Sequence, residues 1–427
     1  MATQNTSRIQ SYADLLKIED ANFRVHSSVY TDPTIFKAEI AKIFEKSWVY
    51  IGHESEISNP GDYKTTMIGE RPVILTRGKD HSINVLLNVC RHRANAVCRE
   101  QRGNSSNFRC PYHAWTYEND GRLIGVPDRS RYPAGFLSQD LNLISVAKVG
   151  AYRGLIFATL SPEAIDLDDH LGSIKVHIDY WADRSLSDEH QVLLPHQYAY
   201  TGNWKFQCEN GVDGYHPGIV HESAFSTFGE FGIGAFASRD LIKQGSITRG
   251  FEGGHSTLEG GFSDGRGSGR GNPQKFQEYY EALKVKHGDD RAAEIISNRH
   301  LFIFPNVFLF DELIRVIQPV SLEYTEVTSH PFRLSGVSDE LNTRRLYEAT
   351  RQLSTTGMVN PGDLEMFAAN QTGLHSKMEW LVLNRGVGKE DSGSTGEAVG
   401  HYSDEVPQRS FYKHWLLKMS ESEGVSV

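Results

Sequence analysis

The sequence predicts an α+β fold in which a small all-β domain precedes a larger domain with an antiparallel sheet. Residues 48–161 contain short strand patterns separated by turns. Residues 162–427 instead combine longer strand patterns with helical ones. A length of 427 residues is enough for two or three domains with cores of their own.

The predicted elements are ordered as follows. A helix over 32–48 can be capped by Asp32 and begun by Pro33, and it carries an apolar face of Phe36, Ile40, Ile43 and Phe44. The all-β region has strand patterns at 73–76, 83–89 and 155–159. The later region has strand patterns at 198–206, 301–310 and 314–320, and helical patterns at 276–286, 339–355 and 363–374. Gly- and Ser-rich segments at 249–273 and 385–400 are predicted to be loops.

Composition excludes several classes of protein. The net charge of −10 argues against nucleic acid or an anionic membrane as a partner. Residues 1–30 lack the apolar stretch of a secretory signal, and no run of about 18 apolar residues occurs. The four cysteines are too few for a disulfide scaffold, and their grouping near histidines indicates metal chemistry in a reducing cytoplasm.

Two cysteine–histidine pairs form the first candidate metal site. Cys90 and His92 are separated by one residue, and Cys110 and His113 by two, with seventeen residues between the pairs. One thiolate and one imidazole from each of two loops are what a Rieske [2Fe-2S] cluster requires, because two Cys hold one iron and two His hold the other. The neutral imidazoles raise the reduction potential to about −150 to +300 mV, so the cluster accepts electrons easily.

Zinc is the alternative for this set of ligands. Zinc sites usually pair Cys with Cys and His with His, whereas each half here mixes the two residue types. Cys98 lies between the halves and could be taken for a fifth ligand. A free cysteine more often behaves as a small apolar residue, so Cys98 and Cys208 are expected to pack in cores.

Two histidines five residues apart form the second candidate site. With a distant carboxylate, His216 and His221 could make a 2-His-1-carboxylate triad, which binds Fe(II) and leaves positions open. Positions i and i+5 of a regular helix point about 140° apart, so Pro217 and Gly218 are expected to break or widen the turn. Asp213 can share a face with His216. Alone, such histidines would more often be structural; the Rieske motif favours the metal interpretation.

Residues 90–115 resemble the Rieske domain of ring-hydroxylating oxygenase α subunits. Residues 209–221 resemble the family's Glu-Asn-x-x-Asp-x-Tyr-His-x₄-His signature. The resemblance runs nearly end to end and is closest to the benzoate, toluate and anthranilate type. Ala94 is one departure, because the family usually has Gly there.

The resemblance implies roles for individual residues of the second site. It implies that His216 and His221 bind the mononuclear iron and that Asp363, within 357–367, is the carboxylate ligand. Glu365 is the competing carboxylate.

Two further residues receive roles from the same signature. Asn210 is expected near the iron, and Asp213 is expected to bridge His216 to His113 of an adjacent subunit and so carry electrons. A merely structural Asp213 is the alternative.

The resemblance also implies the fold and the partners. It implies a Rieske domain (48–161) inserted into a helix-grip catalytic domain formed by 1–47 and 162–427. The α subunits are expected to form a trimer, usually with a small β subunit. A flavin and iron-sulfur reductase, with or without a separate ferredoxin, is expected to supply electrons from NADH.

The implied reaction is the addition of both atoms of O₂ to an aromatic ring, with a benzoate-like acid as the main expectation. The alternatives are an aniline-like or indolic ring, monohydroxylation of a salicylate-like acid and, outside the enzymes, a plain Rieske electron carrier. Glu222 follows the second histidine, where benzoate-type relatives usually have Trp. It either disfavours a carboxylate in the cavity or faces solvent.

Overall fold

The computed structural model describes residues 11–19, 21–187, 189–224, 246–260, 273–376 and 378–421. The chain divides into two compact units. The smaller unit comprises Phe44–His170 and Glu189–Leu193. The larger unit comprises Met1–Ile43, Leu171–Asp188 and Leu194–Val427, so the smaller unit interrupts it in sequence.

The smaller unit is built from three small antiparallel sheets. One contains, in order, Ile83–Leu87, Arg71–Arg77, Asp62–Ile68 and Arg102–Asn104. The second contains Leu123–Gly125, Thr116–Glu118 and Asn107–Arg109, and the third contains Lys148–Tyr152, Leu155–Thr159 and Val49–His53. The strand patterns predicted at 73–76 and 155–159 fall within these strands, and the one predicted at 83–89 ends earlier, at Leu87. The prediction of an all-β region is therefore confirmed.

The larger unit is built around a long antiparallel sheet. Its strands run in the order Tyr324–Leu334, Leu313–Ser321, Val307–Leu309, Asn298–Ile303, Ser256–Gly260, Ile247–Gly250, Ala398–His401 and Asp391–Ser392, and His196–Thr201 also pairs with Tyr324–Leu334. A separate small sheet joins Leu16–Glu19, Asn22–His26 and Trp380–Val382.

The larger unit also contains helices. They are Ser28–Thr31, Pro33–Glu39, Lys175–Ala182, Lys205–Asn210, Pro217–Val220, Pro273–His287, Asp289–Ile296, Asp339–Leu353, Asn360–Leu374 and Val406–Ser420, and Leu167–Leu171 links the two units in sequence. The last helix packs on strands Ile247–Gly250 and Ser256–Gly260, as expected for a helix-grip domain. None of the described helices combines the length and the apolar character that crossing a bilayer requires.

The helix predicted over 32–48 begins as predicted but ends earlier. The Asp32 carboxylate accepts a hydrogen bond of 2.7 Å from the Thr34 N–H, and Pro33 occupies the first turn. The α-helix ends at Glu39 and a π-helical turn, Ile40–Phe44, follows it. The predicted apolar face is buried.

Four predicted segments differ from the structure. The pattern at 198–206 ends as a strand at Thr201, because the Asn203 side chain accepts from the Lys205 N–H and starts a helix. The pattern at 301–310 is two strands rather than one, separated by a turn at Pro305, which has no N–H for a ladder. Part of each predicted loop is strand instead, in Ile247–Gly250, Ser256–Gly260, Asp391–Ser392 and Ala398–His401. Residues 261–272 of the first loop lie outside the described residues.

Two candidate metal centres

The two cysteine–histidine loops of the smaller unit have the same backbone form. The Cys90 N–H donates to the Asn95 carbonyl, and the Cys110 N–H donates to the Trp115 carbonyl, each at 2.8 Å. Each loop is therefore closed by a hydrogen bond between its cysteine and the residue five positions later. This closure places the cysteine and the histidine of each loop within one short turn.

One residue in each loop has a left-handed backbone. Ala94 has φ 55° and Ala114 has φ 56°, and each N–H donates to the carbonyl of the cysteine four residues before it. Residues with a Cβ adopt this conformation at a cost that glycine does not have. The departure at Ala94 therefore falls where the turn itself favours glycine.

The four candidate ligands form an inner and an outer pair. Cys90 and Cys110 are buried, whereas His92 and His113 are partly exposed, with ring centroids 4.6 Å apart. The Nδ1 atom of His92 is buried and has no hydrogen-bond partner. An inner thiol pair and an outer imidazole pair suit the two irons of a [2Fe-2S] cluster.

Two aromatic side chains surround this group, and the sequence did not identify the role of either. The Tyr117 hydroxyl accepts from the Arg91 N–H at 3.1 Å and lies 3.4 Å from the Cys90 sulfur. Because it already accepts one bond, its own hydrogen is free to be donated to that sulfur. The Trp115 indole stacks on the His92 ring with centroids 5.0 Å apart.

Cys98 lies in the same core but in a different environment. The Asn88 side chain accepts from the Val97 and Cys98 N–H groups, both at 2.9 Å, and donates to the Cys98 carbonyl. The Cys98 sulfur lies 3.6 Å from the Glu100 carbonyl. These contacts fit the expected packing role.

In the larger unit, His216 and His221 bracket a short helix. Pro217–Val220 is a single turn, with His216 at its N-cap and His221 at its C-cap. His221 has φ −107° and ψ 16°, outside the helical region, and the two rings are 5.3 Å apart. The break expected at Pro217 and Gly218 is absent, because both residues lie in a regular helical turn and the His221 N–H donates to the Pro217 carbonyl. The helix ends at His221 instead, and the two imidazoles lie together across this single turn.

Asp363 completes this group from a distant part of the chain. It lies in the first turn of Asn360–Leu374, and its Oδ1 is 3.4 Å from His216 Nε2 and 3.1 Å from His221 Nε2. Ligand atoms of the three residues all lie within 4.8 Å of one another. Glu365, the competing carboxylate, is exposed, so it is Asp363 that the structure brings together with the two histidines.

Asn210 lies at the same point. Its Nδ2 is 3.2 Å from His216 Nε2 and 3.1 Å from Asp363 Oδ1. The helix that carries Asn210 is fixed by the buried carboxylate of Glu39, which accepts from Lys205 Nζ at 2.7 Å. The indoles of Trp204 and Trp415 donate to the same carboxylate, so this buried charge is fully hydrogen-bonded.

The electrostatics of the site favour a cation. Burial lowers the pKa of His216, but the carboxylates of Asp213 and Asp363 outweigh it and raise this pKa to about 9. Burial raises the pKa of Asp363, but the two imidazoles hold it well below its usual range. The group thus keeps a carboxylate charge and attracts positive charge, as a divalent-ion site requires.

Asp213 contacts His216 mainly through the backbone. Its Oδ1 accepts from the Tyr215 N–H at 2.5 Å and the His216 N–H at 3.2 Å. Its Oδ2 lies 3.7 Å from His216 Nδ1, which is beyond the hydrogen-bond range of about 2.7–3.2 Å. The expected hydrogen bond between the Asp213 and His216 side chains is therefore absent. The next residue, Gly214, packs so closely on Tyr402 that an added Cβ would overlap the Tyr402 carbonyl.

A cavity of about 150 Å³ opens beside these side chains. Its lining includes the histidines, Asp363 and Asn210, together with His300, Phe310 and Arg315, which the sequence did not identify. Glu222 is exposed and does not line the cavity. Of the two interpretations of Glu222, the one in which it faces solvent fits the structure.

These two groups of side chains, on this fold, are typical of Rieske-type non-haem iron oxygenases. Residues 47–145 match the Rieske [2Fe-2S] domain family, and residues 185–421 match the catalytic domain of ring-hydroxylating α subunits. The chain therefore belongs to the ring-hydroxylating oxygenase α-subunit family. It is an oxidoreductase that carries a Rieske [2Fe-2S] cluster and a mononuclear iron and uses O₂.

Two curated relatives span most of the chain. The 2-halobenzoate 1,2-dioxygenase large subunit of Burkholderia cepacia is 35% identical, over 94% of this chain and 91% of the relative. The anthranilate 1,2-dioxygenase large subunit of Acinetobacter baylyi is 33% identical, over 88% and 83%.

A solved structure confirms the fold class. Naphthalene 1,2-dioxygenase with indole bound in the active site matches with a TM-score of 0.85 and 26% identity, over 97% of this chain and 96% of that one. The expected α+β fold, with a Rieske domain and a catalytic domain, is confirmed.

Proposed function

We propose that this chain is the large subunit of a terminal oxygenase that cis-dihydroxylates a benzoate-like aromatic acid. The observation that carries the proposal is the convergence of His216, His221 and Asp363 beside a cavity, in a chain that also has the Rieske loops. The names of relatives support the substrate class, because they include 2-halobenzoate, anthranilate and toluate dioxygenases.

In this proposal, His216, His221 and Asp363 hold the mononuclear iron, which supplies the capacity to bind and activate O₂. The histidines present their Nε2 atoms to the Asp363 carboxylate, so three donors already face one point. The Asn210 amide lies within hydrogen-bond distance of both His216 and Asp363, and it therefore holds these two ligands in position. We assign Asn210 this supporting role.

Cys90 and Cys110 hold one iron of the Rieske cluster, and His92 and His113 hold the other. One observation supports this assignment over zinc. A single tetrahedral ion needs its donors close together, and three donor atoms mutually within 4.8 Å occur, among the described residues, at the other site and not here. The unpartnered His92 Nδ1 leaves that nitrogen available to a metal of either kind.

Asp213 is proposed as the bridge for electron transfer between adjacent subunits. Its Oδ1 is bonded to backbone N–H groups, while Oδ2 faces His216 and the side chain remains 31% exposed. A partly exposed carboxylate in contact with a ligand histidine can accept a hydrogen bond from the partner's Rieske histidine, here in the position of His113.

The remaining proposals concern the assembly. We propose a trimer of α subunits, with a small β subunit, that receives NADH-derived electrons from a flavin and iron-sulfur reductase, with or without a ferredoxin. We also propose a cytoplasmic location and the domain limits 1–47, 48–161 and 162–427.

The test is turnover of the purified protein with a reductase, NADH and ¹⁸O₂, using benzoate, 2-halobenzoates, anthranilate, salicylate, aniline and indole. We expect a cis-diol from the aromatic acids, or the catechol that follows loss of a substituent, with two labelled oxygens. One labelled oxygen from salicylate would establish monohydroxylation instead. About two irons per chain rather than about three, with no product, would establish a plain electron carrier.

A further inference from the structure

Arg315 is a buried cation on the wall of the cavity. It lies in strand Leu313–Ser321, opposite Phe308 on one neighbouring strand and Ser329 on the other. Only 3% of the residue is exposed, yet it belongs to the cavity lining together with His216, His221 and Asp363.

The Arg315 guanidinium lacks a partner among the described residues. Its Nε and Nη2 atoms are buried and form no hydrogen bond, and the described part of the chain gives it no ion pair with a carboxylate. Its neighbours are aromatic faces, with the ring centroids of Phe310 at 4.9 Å and of Tyr198 at 6.0 Å. An unpaired buried charge is costly, so such a group is retained where a ligand completes it.

The carboxylates that line the cavity already interact with other groups of the protein. Asp311 pairs with Arg184, and Glu348 pairs with Arg351 and Arg344. Asp213 accepts from two backbone N–H groups, and Glu312 interacts electrostatically with Arg345. Asp363 faces the histidines of the metal site.

His300 does not supply a second cation. Its Nδ1 donates to the Gly211 carbonyl at 3.0 Å, and burial lowers its pKa. Arg315 is therefore the cation of the cavity wall that remains available to an anionic ligand.

We propose that Arg315 binds the carboxylate of the aromatic acid and so fixes the orientation of its ring in the cavity. This inference rests on the proposed function and assigns its substrate specificity to one residue. A guanidinium matches a carboxylate with two parallel N–H···O bonds, which Lys cannot reproduce. A neutral ring would leave Arg315 unpaired even in the complex, so the site discriminates between an acid and its neutral isostere.

The test compares equilibrium binding of benzoate and benzamide to the iron-loaded enzyme under anaerobic conditions by calorimetry. In Arg315→Gln we expect the Kd for benzoate to rise about 10- to 100-fold, the range for a hydrogen-bonded charge pair. The Kd for benzamide should not change. Arg315→Lys should give an intermediate loss for benzoate.

Folding is checked in the same preparations. Because Arg315→Gln removes an unpaired buried charge, the ligand-free variant should keep its Rieske spectrum and melt at the wild-type temperature or above it. Arg333→Gln, which removes an Arg paired with Asp339 away from the cavity lining, is the matched control and should bind both ligands as wild type does.

Equal benzoate affinity in wild type and Arg315→Gln would overturn the inference while leaving the proposed function intact. A large fall in the melting temperature of the ligand-free variant would also overturn it, because it would show a structural role. If the wild type binds and oxidises only neutral rings, the proposed substrate class fails together with the inference.

Discussion

The two metal centres differ in how the chain assembles them. The Rieske motif lies within residues 90–115, and each of its loops is closed by its own backbone hydrogen bond. The catalytic site combines residues 210–221 with Asp363, which is more than 140 residues further along the chain. One centre is therefore specified locally, and the other depends on how two distant helices pack.

Long-range contacts hold the second centre together. Helices Lys205–Asn210 and Asn360–Leu374 meet through the stacked rings of Phe206 and Phe367, 6.3 Å apart, and through the Asn210–Asp363 hydrogen bond. A change in that packing moves a ligand, whereas the Rieske loops carry their ligands with them. The comparison predicts that the two centres can be damaged independently.

The largest effect is expected from removal of the distant ligand. Asp363→Ala should lose the mononuclear iron and all turnover, because it takes the only carboxylate from the donor group. The Rieske absorption and reduced-state EPR spectrum should remain. Iron analysis and spectroscopy of the same sample measure both effects.

The matched variants are Glu365→Ala and Cys110→Ala. Glu365 is exposed in the same helix, so its variant should remain active. Cys110→Ala should lose the Rieske spectrum. An active Asp363→Ala together with an inactive Glu365→Ala would show that the carboxylate ligand is misassigned.

The second effect concerns the link between the centres. Asp213→Asn keeps an oxygen for the Tyr215 and His216 N–H groups but removes the charge beside His216. Both metals should therefore be retained, while electron transfer from the reduced cluster should slow about 10- to 100-fold. Stopped-flow oxidation of the prereduced cluster, with substrate and O₂, measures this step.

Glu222→Gln is the control for Asp213→Asn, because it removes an exposed charge next to His221. The prereduced cluster of Glu222→Gln should be reoxidised at the wild-type rate. If the cluster of Asp213→Asn were also reoxidised at that rate, with formation of product, Asp213 would not lie on the electron path.

A smaller effect is expected on the reduction potential of the Rieske cluster, from a residue next to its ligand Cys90. Tyr117→Phe should lower the reduction potential by about 40–80 mV, because the reduced, more negative cluster loses a hydrogen bond to Cys90 worth about 1–2 kcal/mol. Tyr63→Phe is the control, since the Tyr63 hydroxyl interacts with Cys98 in the same core. Potentiometric titration should show no shift in the control, and equal shifts would contradict the proposed bond.

The smallest effect concerns the turn itself. Ala94→Gly should stabilise the protein by up to about 1 kcal/mol, because relief of the left-handed Ala backbone exceeds the entropic cost of glycine. Thermal unfolding of the holoprotein measures the change. Ala114→Gly, at the equivalent turn, should behave alike, and destabilisation of both would contradict this account of the loops.

The same contrast explains what the sequence could predict. The Rieske ligands are recognisable because each cysteine lies close in sequence to its histidine, within one short loop. They are Cys90, His92, Cys110 and His113. The break expected at Pro217 and Gly218 was wrong, because a proline at the first position of a helix starts the turn and does not interrupt it. Asp363 instead needed a family resemblance, because no local pattern links it to residues 210–221.

Other features lacked a local signal altogether. Arg315 lies between Ile314 and Val316 in an ordinary apolar strand pattern, and only the structure shows that it lines the cavity and lacks a hydrogen-bond partner among the described residues. The helix that starts after Asn203 was obscured by the apolar and aromatic residues around it, because side-chain capping overrides a strand-like pattern. Tertiary context decided these positions.

The pairing of Asn22–His26 with Trp380–Val382 has a consequence for biosynthesis. The smaller unit is nearly continuous in sequence, because it comprises Phe44–His170 and only one further segment, Glu189–Leu193. It can therefore fold soon after these residues leave the ribosome. The first strands of the larger unit instead pair with a strand that is more than 350 residues further along the chain. We therefore expect the smaller unit to complete its fold before the larger unit does during synthesis.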